Sequence, residues 1–137
     1  RDLESGTVMA KRRISELDER GRAKKETLPM QDLGVHVGKI LDEFQTFLYE
    51  RAKTALEENT STVDSWDDFE AAFADGKSSF VWAHWDGTTE TELAIKEKTK
   101  ATIRCLALPG QGPEPEAGTC ILTGNPSTQR VLFAKNY

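Results

Sequence analysis

No stretch of this sequence approaches the roughly 18–20 consecutive apolar residues that a membrane-spanning helix needs. That speaks against a helical membrane protein. Cysteine is scarce, with two in 137 residues, too few for a disulfide-stapled secreted scaffold. Both thiols are expected to be reduced, as in a cytoplasmic protein. A surplus of positive charge is also missing. Eighteen Lys and Arg face 23 Asp and Glu, a net charge of −5, which argues against a protein that coats nucleic acid. There is no Gly-rich phosphate loop, no Ser/His/Asp triad and no paired-carboxylate motif. The chain opens Arg1-Asp2-Leu3-Glu4 rather than with Met. It is therefore expected to be a piece of a longer protein, whose chemistry lies elsewhere.

What remains is a globular composition. Three Trp, six Phe and two Tyr suffice for a modest core in a chain of one domain or one and a half. Charge divides the chain into three. Residues 1–30 hold eight basic and six acidic side chains, residues 31–76 three and eleven, and residues 77–137 seven and six. Periodicity changes at the same places.

The first segment reads as a hairpin. Thr7 to Ile14 and Ala23 to Leu28 are its strands, and the polar stretch Ser15 to Arg22, with Gly21, is the loop. The second reads as one amphipathic helix of about seven turns. Leu33, Val37, Ile40, Leu41, Phe44, Phe47, Leu48, Ala52, Ala55 and Leu56 recur at three- and four-residue steps. Asp32 is its expected N-cap, and Asn59-Thr60-Ser61-Thr62 its stop. So wide an apolar stripe requires a large surface to pack on. The third segment opens with a capping pattern at Ser65-Trp66-Asp67-Asp68 and a short helix through Phe73, ended by Asp75-Gly76. A strand follows from Ser79 to Trp85, then a helix opened by Thr89-Glu90-Thr91-Glu92 and running to about Lys100. Strands at Ala101–Leu108, Thr119–Leu122 and Val131–Phe133 complete it, with a turn at Gly124-Asn125-Pro126. The expected fold is α+β: a β-hairpin over residues 1–30, a long connecting helix over 31–62, and a small α+β domain on a mixed or antiparallel sheet over 63–137.

The candidate chemistry is thin. His84, between Ala83 and Trp85, reads as a half-buried strand residue, with a catalytic base or metal ligand as the alternative. His36 has Ile40, not a ligand, one helical turn on. Cys105 and Cys120 each lack a second Cys two to four residues away, whereas zinc sites are built from close pairs. Lys11-Arg12-Arg13 with Arg20, Arg22, Lys24 and Lys25 is the one basic concentration and the candidate for phosphate contact. Glu16, Asp18, Glu19 and Glu26 interrupt it, which favours a solvated hairpin.

Whole stretches nevertheless resemble a known family. Arg1-Asp2-Leu3-Glu4, Gly6-Thr7-Val8 and Lys11-Arg12-Arg13 resemble the run that ends the anticodon-binding domain of prolyl-tRNA synthetases of the archaeal/eukaryotic-like type. Phe47-Leu48-Tyr49-Glu50-Arg51-Ala52 is similar to the helix that follows. Phe80 to Trp85, Ile95-Lys96-Glu97, Ala101 to Cys105 and Arg130 to Tyr137 resemble the C-terminal extension, in order and spacing. The resemblance implies a class II parent that joins proline to its tRNA with ATP and Mg²⁺, and is a homodimer. This chain would carry the tail of the anticodon-binding domain, the connecting helix and the extension, a domain often called zinc-binding. It would position domains and have no catalytic site of its own. The rival reading is a free-standing RNA- or protein-interaction module.

Two residue-level expectations follow from the resemblance. In the family, the extension often carries C-x₄-C followed by C-x₂-C. The first pair maps onto Asp86 and Thr91, the second onto Cys120 and Thr123. One thiolate, one carboxylate and two hydroxyls do not make a closed zinc site, so zinc is expected to be absent. Hydrogen bonds from Thr and Asp are expected to join the two loops instead. Relatives also end in Tyr, with a carboxylate directed towards the catalytic domain, which implies that role for Tyr137.

Overall fold

The computed structural model describes residues 3–14, 16–74 and 79–135. Two compact units are present, residues 1–52 and residues 53–137.

The first unit begins with a hairpin. Strands β1 (Thr7–Lys11) and β2 (Lys25–Pro29) are antiparallel, with Val8 opposite Leu28 and Lys11 opposite Lys25. The strands are shorter than the sequence suggests, because the connecting loop has its own organisation. One Asp18 carboxylate oxygen accepts the backbone N–H groups of Arg20 and Arg22, at 2.9 and 2.8 Å. Gly21, at φ 69°, supplies the left-handed turn beside it.

Helix α1 (Leu33–Glu58) starts in this unit. Asp32 takes the cap position through its backbone: its carbonyl accepts from His36 N–H at 3.2 Å. Its φ of 52° is left-handed rather than the extended conformation of a side-chain cap. The helix has the expected length, but none of its residues is buried. Leu41, Phe47 and Leu56 are 59%, 50% and 54% exposed.

The second unit is built on a four-stranded mixed sheet. Strands β3 (Thr60–Thr62), β4 (Phe80–His84), β5 (Ala101–Leu106) and β8 (Arg130–Lys135) lie in the order β3-β4-β8-β5. β3 runs parallel to β4, and β8 is antiparallel to both β4 and β5. The last strand is therefore an interior strand of the sheet, which ties down the chain as far as Lys135. Thr60 to Thr62, expected only to stop α1, form the edge strand, since Thr is well suited to a pleated backbone.

Helices α2 (Trp66–Ala72) and α3 (Thr89–Thr99) supply the other layer. The capping pattern at α2 forms as read: Ser65 Oγ accepts Asp68 N–H at 3.2 Å and donates to Asp68 Oδ2 at 2.6 Å. The α3 cap is Thr88, one residue before the expected start, and Lys100 closes the helix at φ 65°. The expected stop at Asp75-Gly76 lies outside the described residues. Phe69 is the centre of the core, within 5.0 Å of the ring centroids of Phe73 and Phe133 and 5.6 Å of Trp66. Val81, Ala83, Ile95, Ala101, Ile121 and Val131 complete it.

The expected strand Thr119–Leu122 is largely a turn. Only β6 (Gly118–Thr119) pairs, with β7 (Pro126–Ser127). Between them Cys120 N–H donates to Asn125 O at 2.8 Å and Gly124 N–H to Cys120 O at 2.9 Å. These bonds fold residues 120–125 back on themselves, so they are unavailable to a sheet. Ile121 N–H joins the turn to His84 O at 3.2 Å.

Candidate functional site

Three of the four residues in the mapped paired positions meet at one carboxylate. Asp86 leaves the end of β4 in the turn Asp86-Gly87, where Gly87 adopts φ 82°. Asp86 Oδ1 accepts Thr88 N–H at 3.2 Å and Thr88 O–H at 2.9 Å. Oδ2 accepts the hydroxyls of Thr91 at 2.9 Å and Thr123 at 2.8 Å, and the side-chain amide of Asn125 at 3.2 Å. Thr88 and Thr91 belong to the start of α3, where backbone N–H groups favour an anion. Thr123 and Asn125 come from the 120–125 turn, 37 and 39 residues away in sequence. One anion thus holds two turns together. Cys120 opens the second turn and is buried, while Cys105 is exposed on β5.

Sequence reasoning missed Thr88 and Asn125. Thr88 had a readable signal, since Asp-Gly followed by Thr is an Asx-turn sequence. Asn125 had none beyond its place in a turn.

Burial acts to raise the Asp86 pKa, but the hydrogen bonds from Thr123, Thr88 and Thr91 outweigh it and bring the group to about 2. The unfolded value is near 3.9. A pKa lowered by folding adds stability that is complete above the unfolded value and disappears as pH falls through the folded one. Asp86 should therefore contribute on the order of 1–2 kcal/mol, lost between about pH 4 and pH 2. Urea midpoints measured across that window should fall more steeply for the native chain than for Asp86→Asn. Parallel pH curves would show that the carboxylate is not coupled to folding.

His84 is not half-buried, as the strand pattern suggested, but 4% exposed. Its Nδ1 lies 3.0 Å from Ser127 Oγ, whose hydroxyl reaches Gln129 O at 2.9 Å. Nearby, Arg130 bonds Glu116 at 2.7 Å, Asp64 at 2.6 Å and the Val63 carbonyl at 3.0 Å. These bonds fasten the arm, residues 107–129 between β5 and β8, to the sheet. His36 remains on α1 as a helix-surface residue. Among the described residues no group of three or more His, Cys, Asp or Glu is disposed to hold a metal ion.

In the first unit, Arg12 is held by two carboxylates. Its guanidinium bonds Glu26 at 2.8 Å and Glu43 at 3.0 Å. The same hydrogen bonds raise the Arg12 pKa and lower that of Glu26. Lys11 and Arg13 are exposed. Tyr137 lies outside the described residues.

Residues 66–137 match the family model described as "Prolyl-tRNA synthetase, C-terminal". The whole chain is similar to proteins named "Proline--tRNA ligase". It is 42% identical over 137 residues to that of Porphyromonas gingivalis strain W83, 41% over 139 residues to that of Bacteroides fragilis strain YCH46, and 44% over 137 residues to that of Cytophaga hutchinsonii. The chain spans about a quarter of the length of these relatives, 25%, 26% and 26% respectively.

Proposed function

The chain belongs to the prolyl-tRNA synthetase C-terminal family, and from that premise we propose that it is the C-terminal part of a proline–tRNA ligase. The parent would attach proline to its tRNA using ATP and Mg²⁺, as a class II, homodimeric, cytoplasmic enzyme of the archaeal/eukaryotic-like type. The observation that carries this reading is identity above 40% along the whole chain to proteins named as proline–tRNA ligases. The type rests on the motif resemblance in Arg1–Arg13, Phe47–Ala52 and Arg130–Tyr137.

Within the parent this part positions domains rather than performing chemistry. A helix of 26 residues with no buried side chain suits a connector whose apolar stripe packs on protein outside the chain, because exposed apolar patches of this kind mark interaction surfaces. The ATP, Mg²⁺ and proline sites belong to the remaining three quarters of the enzyme. Direct RNA contact falls to Lys11 and Arg13, since Arg12 is engaged by Glu26 and Glu43. The resemblance implies that the parent also ends at Tyr137, whose carboxylate would accept bonds from Arg, Lys or backbone N–H groups and so order the catalytic domain.

The test uses the full-length enzyme. Deleting Tyr137, or appending residues after it, should lower aminoacylation about tenfold or more, as expected for loss of a charge-assisted hydrogen-bond set. The melting temperature should hardly change. In parallel, the 137-residue chain alone should show no proline-dependent ATP–pyrophosphate exchange. Full activity in the extended enzyme refutes the role of Tyr137. Exchange by the chain alone refutes the placement of chemistry elsewhere.

A further inference from the structure

Zinc is the metal that the resemblance attaches to residues 86–91 and 120–123, and the residues present do not fit it. A structural zinc site needs four lone pairs from thiolate, imidazole or carboxylate converging on one cation. Here the polarity is reversed. The hydroxyl protons of Thr88, Thr91 and Thr123 and the amide protons of Asn125 converge on one anion, Asp86. Both Asp86 oxygens are occupied by these donors. Cys120 is the one thiol of the four positions, and the chain has only one other, Cys105, placed on β5.

We infer that Asp86 is a metal-free clasp, a carboxylate that joins the start of α3 to the 120–125 turn in the place where the resemblance implies a zinc site. The arrangement meets the physical requirements of such a joint. It bridges segments distant in sequence, so its loss removes the side-chain bonds between the 120–125 turn and the start of α3. It is multidentate, and Thr123 and Asn125 supply its donors from the distant turn. A half-buried carboxylate also demands its donors, because removing them leaves a desolvated charge. The joint itself then requires neither zinc nor a thiolate. This inference does not rest on the enzymatic reading.

The experiment combines metal content with melting of the 137-residue chain. Protein prepared without added metal should contain far less than one zinc per chain by elemental analysis. Its melting temperature should be unmoved by EDTA. Asp86→Ala should lower that temperature by about 5–10 °C. Thr123→Val keeps the side-chain shape and removes one donor; it should lower the temperature by about half as much, and it decides the matter should Asp86→Ala fail to fold. Near-stoichiometric zinc, or a fall in melting temperature with EDTA, overturns the inference. So does a Thr123→Val chain that melts with the native one.

Discussion

Replacing Phe69 by alanine should unfold the 53–137 unit under conditions where the native chain is folded. Phe69 is fully buried, and its ring meets those of Trp66, Phe73 and Phe133 together. Trp66 and Phe73 lie at either end of α2, and Phe133 is on β8, so the ring joins the helix to the middle of the sheet. Truncating a buried Phe costs about 3–5 kcal/mol, from lost transfer energy plus the cavity left behind. A domain of this size is stable by only about 5–10 kcal/mol. Removing the ring therefore takes away about half of the total. The expected signs are a melting temperature lowered by more than 10 °C and loss of near-UV circular dichroism at temperatures where the native chain keeps it. Phe69→Leu, which retains most of the volume, should be clearly milder. A Phe69→Ala chain melting within a few degrees of the native one would mean that the core is centred elsewhere.

Gly118→Ala should be nearly as damaging, though it adds a single carbon. A Cβ on Gly118 would lie 2.2 Å from His84 Nε2 and 2.5 Å from both Cδ2 and Cε1. Contacts that short require movement, and the ring has little freedom to move. His84 is buried and hydrogen-bonded to Ser127, and Ser127 is the register partner of Gly118 across the β6–β7 ladder. Glycine is required here because the backbone lies flat against the imidazole. Overpacking in a site this rigid costs about 3 kcal/mol. A double-mutant cycle separates this cause from a general weakness of the arm. Once His84→Ala has removed the ring, adding Gly118→Ala should cost little more. Equal penalties in both backgrounds would show that the clash is not with His84.

The elements of this protein were largely legible from its residues. The stripe from Leu33 to Leu56 predicted α1, which forms over Leu33–Glu58. Ser65-Trp66-Asp67-Asp68 predicted the start of α2, and the aromatic run from Phe80 predicted β4. These features depend on neighbours within one or two turns, which is the range that periodicity and capping report. Asp86, Thr91 and Thr123 were singled out only through the family resemblance, and the structure joins them by hydrogen bonds.

The errors have a different origin. Thr119 to Leu122 carry the residue types of a strand, yet the bonds from Cys120 to Asn125 and from Gly124 to Cys120 make a turn of them. Thr60 to Thr62 read as a helix stop and became an edge strand, because β4 offers an open ladder beside them. His84 read as half-buried because alternation along one strand does not reveal the arm that folds over it.

The sequence by itself determined where helices and strands begin, which faces are apolar and which family the chain resembles, since these reside in local chemistry and residue order. Only the tertiary structure decided that β8 lies between β4 and β5, that Gly118 faces His84, and that Asp86 collects donors 37 and 39 residues away. Those are long-range pairings. Their partners are selected by mutual burial and hydrogen-bond satisfaction across the folded unit, and neither leaves a periodic trace along the chain.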